Sequence, residues 1–463
     1  MKLLAVCSLA AALAPASDWS RFRGPNGAGI AGDRGLPAEF GPSKNVIWKT
    51  ALPRGASSPV LTNDRIFLTG YEGDQLYSFC LDRATGRILW RRAVAADREE
   101  KLHKLNNRAS STPVTDGRNV FVFFGDFGLI SYGPDGEERW RVKLGPFTNL
   151  HGMAASPVLA GNRVIMNCDQ DMKSYLVAID KDTGRVAWRA ERTEVVHGFS
   201  TPIVHGSQII VPGSYQLIAY SVESGKKLWW ASGVTWQVKS TPVIGDGVLY
   251  FNGWAPGGDA GEQYELPTFA EALRAADANA DRKLAPGELP KPWQPTGTWD
   301  AIDMDNDGLL DERDWHFFRS RRGASNNLMA VRLGGSGDVT RSHVLWRFSK
   351  SIPDVPSPLY YGGALWLVRT GGIATSLNPK TGEIFKQARL TGALDGYYSS
   401  PVGADGKVYM SSDSGKISVL KAEPQWEVMA MNDLGEDIYA TPAIADSRLY
   451  VRTGSALYCF GLR

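Results

Sequence analysis

Ala155-Ser156-Pro157-Val158, Arg163-Val164-Ile165-Met166, Tyr175-Leu176-Val177-Ala178-Ile179-Asp180 and Val186-Ala187-Trp188, with the turn Lys181-Asp182-Thr183-Gly184 before the last, read as four consecutive strands. Each is short, rich in β-branched or apolar residues and bounded by Gly, Asn or Asp, as antiparallel strands joined by tight turns should be. A single sheet of this kind cannot bury both of its faces. Its neighbours must be copies of itself.

The chain supplies the copies. Ser58-Pro59, Thr112-Pro113, Ser156-Pro157, Thr201-Pro202, Thr241-Pro242, Ser357-Pro358, Ser400-Pro401 and Thr441-Pro442 mark eight starts, most of them about 40 to 54 residues apart, a propeller-blade period. Proline has no N–H to donate and is tolerated at the first residue of a strand. A turn and an aromatic end recur from Thr85-Gly86 to Trp90, Asp135-Gly136 to Trp140, Thr183-Gly184 to Trp188, Ser224-Gly225 to Trp229 and Thr381-Gly382 to Phe385, with Trp346 and Trp426 closing two further units. Glycine takes the positive φ of a tight turn, and the tryptophan is expected to wedge between adjacent sheets. The last unit lacks a closing strand, and Val46-Ile47-Trp48 is the piece that completes it. The expectation is an all-β, eight-bladed β-propeller of four-stranded antiparallel blades, its ring closed by the chain's two ends.

Along the chain, residues 1–16 carry one lysine, an apolar run and Ala14-Pro15-Ala16, the pattern of a signal peptide, so the protein is expected to be exported, periplasmic or extracellular. No other run approaches the roughly 18 apolar residues of a membrane span. Cys80, Cys168 and Cys459 are widely separated and suit buried apolar positions rather than a disulfide framework or metal knuckle. With 51 Lys and Arg against 49 Asp and Glu, the net charge of +2 gives no reason to invoke nucleic acid. Residues 17–44 read as a Gly-rich strap across the ring, and Arg21 and Arg23, flanking Phe22, are also suited to an anion. The propeller is expected over 45–253 and 326–463, as a monomer.

The interruption, 254–325, falls between strands two and three of blade 5. It contains Asp303-Met304-Asp305-Asn306-Asp307-Gly308-Leu309-Leu310-Asp311-Glu312-Arg313-Asp314, which fits the calcium-loop pattern of oxygen donors spaced around a sharp Gly bend. Asp303, Asp305, Asp307 and Asp314 are expected to supply carboxylates, Leu309 its carbonyl and Asp311 a direct or water-mediated contact. The shorter arm of Asp314, where Glu usually stands, weakens calcium or admits magnesium. A second loop offers Asp277, Asn279, Asp281, the Lys283 carbonyl and Glu288, with Arg282 in place of the glycine at a cost of about 1–2 kcal/mol. The insertion therefore resembles a paired EF-hand that binds Ca2+. Thr268 and Glu271 have capping-box form ahead of the first loop.

In an up-and-down blade, the loop into the first strand and the loop between strands two and three emerge on one face. The insertion and the inter-blade loops should therefore share the channel mouth. Those loops carry Arg54, Asn106, Asn107, Arg108, His151, His197, Trp236, Lys239, Asp354, Asp395, Tyr397, Asp437 and Tyr439, the candidate site residues. His151-Gly152 and His197-Gly198 hold matching places in adjacent units, an arrangement open to acid–base work, to metal ligation or to plain loop hydrogen bonding.

Asp82-Arg83-Ala84-Thr85-Gly86-Arg87-Ile88-Leu89-Trp90, Asp180 to Trp188, Ser240-Thr241-Pro242-Val243 and Phe22-Arg23-Gly24-Pro25-Asn26-Gly27 resemble the repeat of the pyrroloquinoline quinone-like (PQQ-like) propeller family. The resemblance covers the mature chain apart from the insertion, and it implies eight blades. It implies little about function, because the family spans quinoprotein dehydrogenases, the outer-membrane β-barrel assembly lipoprotein and other exported proteins. The dehydrogenase pattern implies adjacent cysteines under the quinone, an aromatic floor, a catalytic Asp and a protein-held calcium. No two cysteines here are adjacent, so PQQ is not expected. Trp236 as floor and Asp354 or Asp395 as base are the residues open to that role. The favoured reading is a calcium-binding, exported scaffold that engages a protein or glycan at its mouth rather than an enzyme. A quinoprotein dehydrogenase acting on alcohols or sugars is the first alternative, and a hydrolase or lyase at the mouth the second.

Overall fold

The computed structural model describes residues 19–295 and 297–462, so the leader expected over 1–16 lies outside the described residues. Eight sheets follow one another around a ring. Blade 3 is typical: strands Val158–Ala160, Arg163–Cys168, Tyr175–Asp180 and Val186–Glu191 pair antiparallel in sequence order, from the channel outward. The middle strands are buried on both faces, whereas Val186–Glu191 alternates toward solvent, because the outermost strand lies at the rim of the ring, where its edge faces water and the adjacent blades cover less of its faces. Blade 8 takes Ala443–Ala445, Arg448–Arg452 and Ala456–Gly461 from the C-terminal end and Val46–Ala51 from the N-terminal end. Val46 pairs with Phe460 and Ala51 with Ala456, so the ring is closed by backbone hydrogen bonds rather than by packing alone.

The tryptophans and turn glycines form one joint repeated between blades. Trp48, Trp90, Trp140, Trp188 and Trp346 each lie on a glycine of the next blade's turn, respectively Gly86, Gly136, Gly184, Gly225 and Gly382, where a Cβ would come within 2.5–2.9 Å of the ring. Each indole N–H also donates to a carbonyl of that turn at 2.9–3.2 Å. The glycine is therefore required twice, by φ near +75° and by the ring that covers it.

Three joints depart from the repeat, and at the one between blades 7 and 8 Ala430 simply stands in the tryptophan's register place. Blade 5 has no short third turn; residues 333–339 swing back, and Gly337–Asp338 joins blade 4 as a fifth, parallel strand beside Lys227–Ser232. Trp229 accordingly donates to Gln208 of its own blade, at 3.0 Å. Between blades 6 and 7 the roles are exchanged. Lys386, not Phe385, holds the register place that Trp188 holds in blade 3. Its ammonium lies 4.7 Å over the Trp426 ring and donates to the Trp426 carbonyl. Trp426 thus precedes its outer strand instead of closing it, and the aromatic partner comes from the following blade.

The insertion leaves blade 5 after Gly253 and rejoins it at Asn327. Asn326 clamps the neck through bonds to the N–H and carbonyl of Ala255, at 2.8 and 2.9 Å. Inside it, helix α1 (Phe269–Ala276) and helix α2 (Glu312–Gly323) pack around Leu266, Leu284, Ile302, Leu310, Trp315 and Phe318. Among the described residues no helix is long and apolar enough to cross a membrane.

Candidate functional site

The strand starts build the site from below. In each start the Ser or Thr before proline is part of a chain of bonds around the channel. Thr112 Oγ1 accepts the Ser58 N–H, Ser156 Oγ that of Thr112, Thr201 Oγ1 that of Ser156, Ser357 Oγ that of Thr241, Ser400 Oγ that of Ser357, Thr441 Oγ1 that of Ser400, and Ser58 Oγ that of Thr441, all at 2.9–3.1 Å. These N–H groups sit too early in their strands to enter a ladder, and the hydroxyl of the next blade satisfies them. Among the described residues none of these seven hydroxyls donates to the protein, so each keeps an O–H at the channel wall.

One end of the channel is sealed by the strap. It runs over the hairpins joining first and second strands: Leu61 N–H donates to the Trp19 carbonyl, Thr115 N–H to that of Ser20, and Gly403 exchanges bonds with Gly29 and Ala31. Arg21 and Arg23 are both buried and donate to the carbonyls of Pro202 and Pro358, at 2.5 and 2.8 Å, on blades 4 and 6. They staple the strap to the ring, and burial without a carboxylate pushes them down to about 10 and 9. Phe22, between them, forms part of the channel floor.

The other end is open and leads into a cavity of about 350 Å³, whose upper wall includes His103, His151, Phe199, Gln237, Lys239, Trp254, Asp354, Tyr398 and Tyr439. Lys239 Nζ donates to Asp354 Oδ1 at 2.6 Å and to Gln237 Oε1 at 2.8 Å. That fixes the Gln237 amide, whose NH2 then donates to His151 Nε2 at 3.2 Å. The His151 imidazole is therefore neutral with its proton on Nδ1. Burial first, then the charges of Lys239 and His103, push it down to about 4. Its ring stacks on Phe199 and meets His103 edge-on, with centroids 5.5 and 5.0 Å away. Tyr398 and Tyr439 lie 5.4 Å apart, and burial raises both phenols, so they stay protonated.

Of the candidates expected from sequence, Asn106, His151, Lys239, Asp354 and Tyr439 line this cavity. Arg54, Asn107 and Asp437 line a neighbouring one of about 140 Å³, shared with Asn106 and Tyr439. The remaining five are elsewhere. His197 is buried at φ 47° with Nδ1 2.6 Å from Asp171, and its ring meets Trp236 rather than the channel. Trp236 lies under the Arg321 guanidinium, 4.0 Å from its ring, because the insertion lands on that loop. Tyr397 turns into the core and donates to the Ala393 carbonyl at 2.8 Å. Arg108 pairs with Asp126 and Asp74, at 2.6 and 3.1 Å. Asp395 accepts from Ser412, Ser414 and Lys416. The matched pair His151 and His197 therefore does not converge; His103 replaces His197, from a loop with no counterpart in the repeat. Gln237 and Tyr398, each next to a candidate, were missed because neighbouring loop residues face opposite ways.

The insertion stands beside the mouth, and only its root, Trp254 and Pro256, reaches the cavity wall. Met304 and Phe317 pack on Val196, Tyr215 donates to the Phe317 carbonyl at 3.0 Å, and Lys101 pairs with Asp300 at 3.3 Å. Leu284 and Leu310, at the eighth place of the two loops, exchange backbone bonds of 3.0 and 2.9 Å. In the second loop, oxygens of Asp303, Asp305 and Asp307 come within 4.8 Å of one another, and Gly308 takes φ 87°. Leu309 follows with its N–H on Asp307 Oδ1 at 2.9 Å. Asp311 caps α2, accepting from Arg313 and Asp314 N–H, while Asp314 reaches back to the N–H of Asp311 and Met304. In the first loop Arg282 takes φ 65°, Asp277 Oδ2 accepts its N–H, Asn279 and Asp281 bond to each other, and Glu288 accepts from Ala278 and Ala285. Lys283 extends across to Asp307. The capping box of Thr268 and Glu271 starts α1, and with Pro290, Pro292 and Pro295 present the described residues between the two loops form two tight turns, Lys291–Trp293 and Trp299–Ala301, in place of a long exiting helix.

Residues 79–254 match the family described as outer membrane protein assembly factor BamB. Curated relatives of that name are 27% identical over 104 residues in Francisella salina and 26% over 160 residues in Alkalilimnicola ehrlichii, covering 22% and 34% of this chain. The matches span only 19% and 38% of those relatives. Among solved structures, BamB from Moraxella catarrhalis aligns with TM-score 0.55 at 13% identity, over 89% of this chain and 100% of that one. A europium-containing methanol dehydrogenase aligns at 0.58 and 10%, over 96% and 98%, and quinohemoprotein alcohol dehydrogenase from Comamonas testosteroni at 0.59 and 11%, over 96% and 80%. At such identities the structural likeness speaks for the fold alone. Repeat, ring and family match agree: the chain is an eight-bladed β-propeller, and over residues 79–254 its repeat is similar to that of the PQQ-like family.

Proposed function

We propose that this protein is an exported binding protein that engages its partner through the open end of the channel, with calcium holding the insertion in shape beside it. The observation that carries this reading is the asymmetry of the channel: one end is sealed by the protein's own strap and the other opens on a cavity walled by aromatic rings and hydrogen-bond donors. Relatives named as an assembly factor support a role in binding, and those names, with the leader-like start, support a location outside the cytoplasm.

The residues of the cavity do not suit a quinone with its catalytic calcium. Its carboxylate, Asp354, is already paired with Lys239, and the described cysteines Cys80, Cys168 and Cys459 are buried in three different blades. The calcium reading rests instead on the insertion, where three aspartates converge and the two loops are zipped at Leu284 and Leu310. Asp303, Asp305, Asp307 and the Leu309 carbonyl would hold the ion, with Asp311 and Asp314 completing the second loop.

Calorimetry and thermal unfolding of the whole protein, with calcium and with chelator, test this. A ligand at about a hundred times its Kd stabilises by about 2.7 kcal/mol, so the melting point should rise and the rise should vanish in Asp303→Asn. Photo-crosslinking from the Leu105 position, exposed at the edge of the cavity, tests the mouth. No heat of calcium binding at millimolar levels removes the metal; a partner captured equally well when the mouth is blocked removes the site.

A further inference from the structure

The cavity has an unusual balance of hydrogen-bonding groups. Seven hydroxyls of the inner ring accept from the protein and donate to nothing in it, among the described residues. The phenols of Tyr398 and Tyr439 likewise make no hydrogen bond with described residues, and the His151 Nδ1–H is left over once Nε2 has taken Gln237. Acceptors are present too. Asp354 gives one oxygen to Lys239 and keeps the other. Between these polar groups stand flat apolar surfaces: Phe22 at the floor, Phe199 and Trp254 on the walls, and the tilted pair Tyr398 and Tyr439 at the rim.

Each class of ligand meets this surface differently. A purely apolar molecule would bury the hydroxyls and phenols without partners, at about 1–3 kcal/mol for each group stranded. A phosphate or other polyanion would find one ammonium, Lys239, already committed to Asp354, and would face that carboxylate. A peptide strand adds to a free sheet edge of some length, and the inner edge strands are only two or three residues each, as in Val60–Leu61, Val158–Ala160 and Val402–Ala404, too short to hold one. A polyol ring satisfies both halves of the wall. Its hydroxyls accept from the ring of donors and donate to Asp354, while its C–H face lies on an aromatic ring, whose π-face is electron-rich. The volume, about 350 Å³, lies at the small end of the range for such sites, about 300–1,000 Å³, so the cavity takes a short end of a chain and not its length.

We infer that the channel cavity binds the terminal one or two rings of a neutral saccharide, stacked on Trp254 and the Tyr398–Tyr439 pair and hydrogen-bonded to Asp354 and the inner-ring hydroxyls. This rests on the reading of the open channel end as the binding face and makes it specific. Because the sealed end admits nothing, the glycan enters end-on from the mouth.

A printed glycan array of neutral and acidic saccharides, followed by calorimetry with the free disaccharides, tests it on the whole protein in calcium. The expected result is a neutral saccharide bound more tightly than about 1 mM, weakened tenfold or more in Tyr439→Ala and in Asp354→Asn. Trp254→Ala should do the same; because Trp254 also packs against blade 5, its melting point is checked, and Tyr439→Phe serves as the milder variant that loses only the hydroxyl. An array with no neutral saccharide bound overturns the inference, as does a tenfold preference for acidic sugars or binding untouched by Tyr439→Ala and Asp354→Asn. If the array is empty but Tyr439→Ala still abolishes crosslinked capture of some other partner, the saccharide is wrong and the mouth reading stands. If capture survives as well, both fall.

Discussion

The two ends of the channel begin from the same eight strand starts and are finished in opposite ways. At the sealed end the hairpins present backbone, and the strap meets it with backbone: carbonyls of Trp19 and Ser20 on blades 1 and 2, Gly29 and Ala31 on blade 7. At the open end the loops satisfy their own backbone with side chains, Asn106 and Asn149 among them, and leave aromatic rings and donors facing the cavity. The lesson is that this fold seals with main chain pinned by two buried arginines, and recognises with side chains that face the cavity. A sealing strand needs little chemical specificity, whereas a recognition wall depends on which way each loop residue turns.

The difference can be broken at either end. The largest effect is expected from Trp19→Ala, which empties a fully buried site in the core shared by strap and blade 8 and should cost about 3–5 kcal/mol in urea unfolding while leaving the mouth's ligand affinity unchanged. A loss below about 1 kcal/mol would mean that the strap lies on the ring without sealing it. Next comes the inner ring. Ser400→Ala strands the Ser357 N–H and should cost about 1–3 kcal/mol, whereas Thr441→Ser, which keeps the oxygen, should cost far less. Equal costs would show that volume, and not the bond, matters there.

The smallest effect is one of pH, at the open end. His151 is held down to about 4 against about 6.5 for a free imidazole, so between those values the folded protein binds fewer protons than the unfolded chain. Its contribution to stability is complete above about pH 6.5 and is lost as the pH falls toward 4. Glu100, pushed up to about 7 by burial, acts with the opposite sign: its contribution is present below about pH 4.5 and fades as the pH rises through 7. Lys239, His103, His197 and Asp354 also act on His151 and set its field. Denaturant unfolding from pH 4 to 7 should show a shallower loss toward acid in His151→Gln and a steeper one in Glu100→Gln. Identical slopes for all three proteins would remove the claim that the mouth holds a neutral imidazole.

How far each feature could be read from the residues depends on whether its cause is local. Glycine before a blade's last strand and tryptophan at its end are visible as a spacing, and the joint between Trp140 and Gly184 follows from them. The hydroxyl ring was in view as eight Ser or Thr residues before proline, yet only proline's role could be read, because each hydroxyl's partner is about 40 residues away or more. Tyr397 and Tyr398, or Trp236 and Gln237, differ by one place in the chain, and only the second of each pair lines the channel cavity. Nothing in the residues themselves separates them. His103 carried no repeat signal at all, and His197 was removed from the channel by an insertion that follows it by more than fifty residues.

What the chain alone determined was the ring: number of blades, the strand that closes the last one, the face on which the insertion emerges. These depend on periodicity and on short-range conformational preferences, which each repeat states again. What the tertiary structure decided was the wall of the cavity, the exchange of Lys386 for tryptophan at one joint, and the conversion of a tunnel into a cup. Those outcomes turn on contacts between segments hundreds of residues apart, such as Arg23 with Pro358, and a bond of that kind leaves no spacing in the sequence from which to read it.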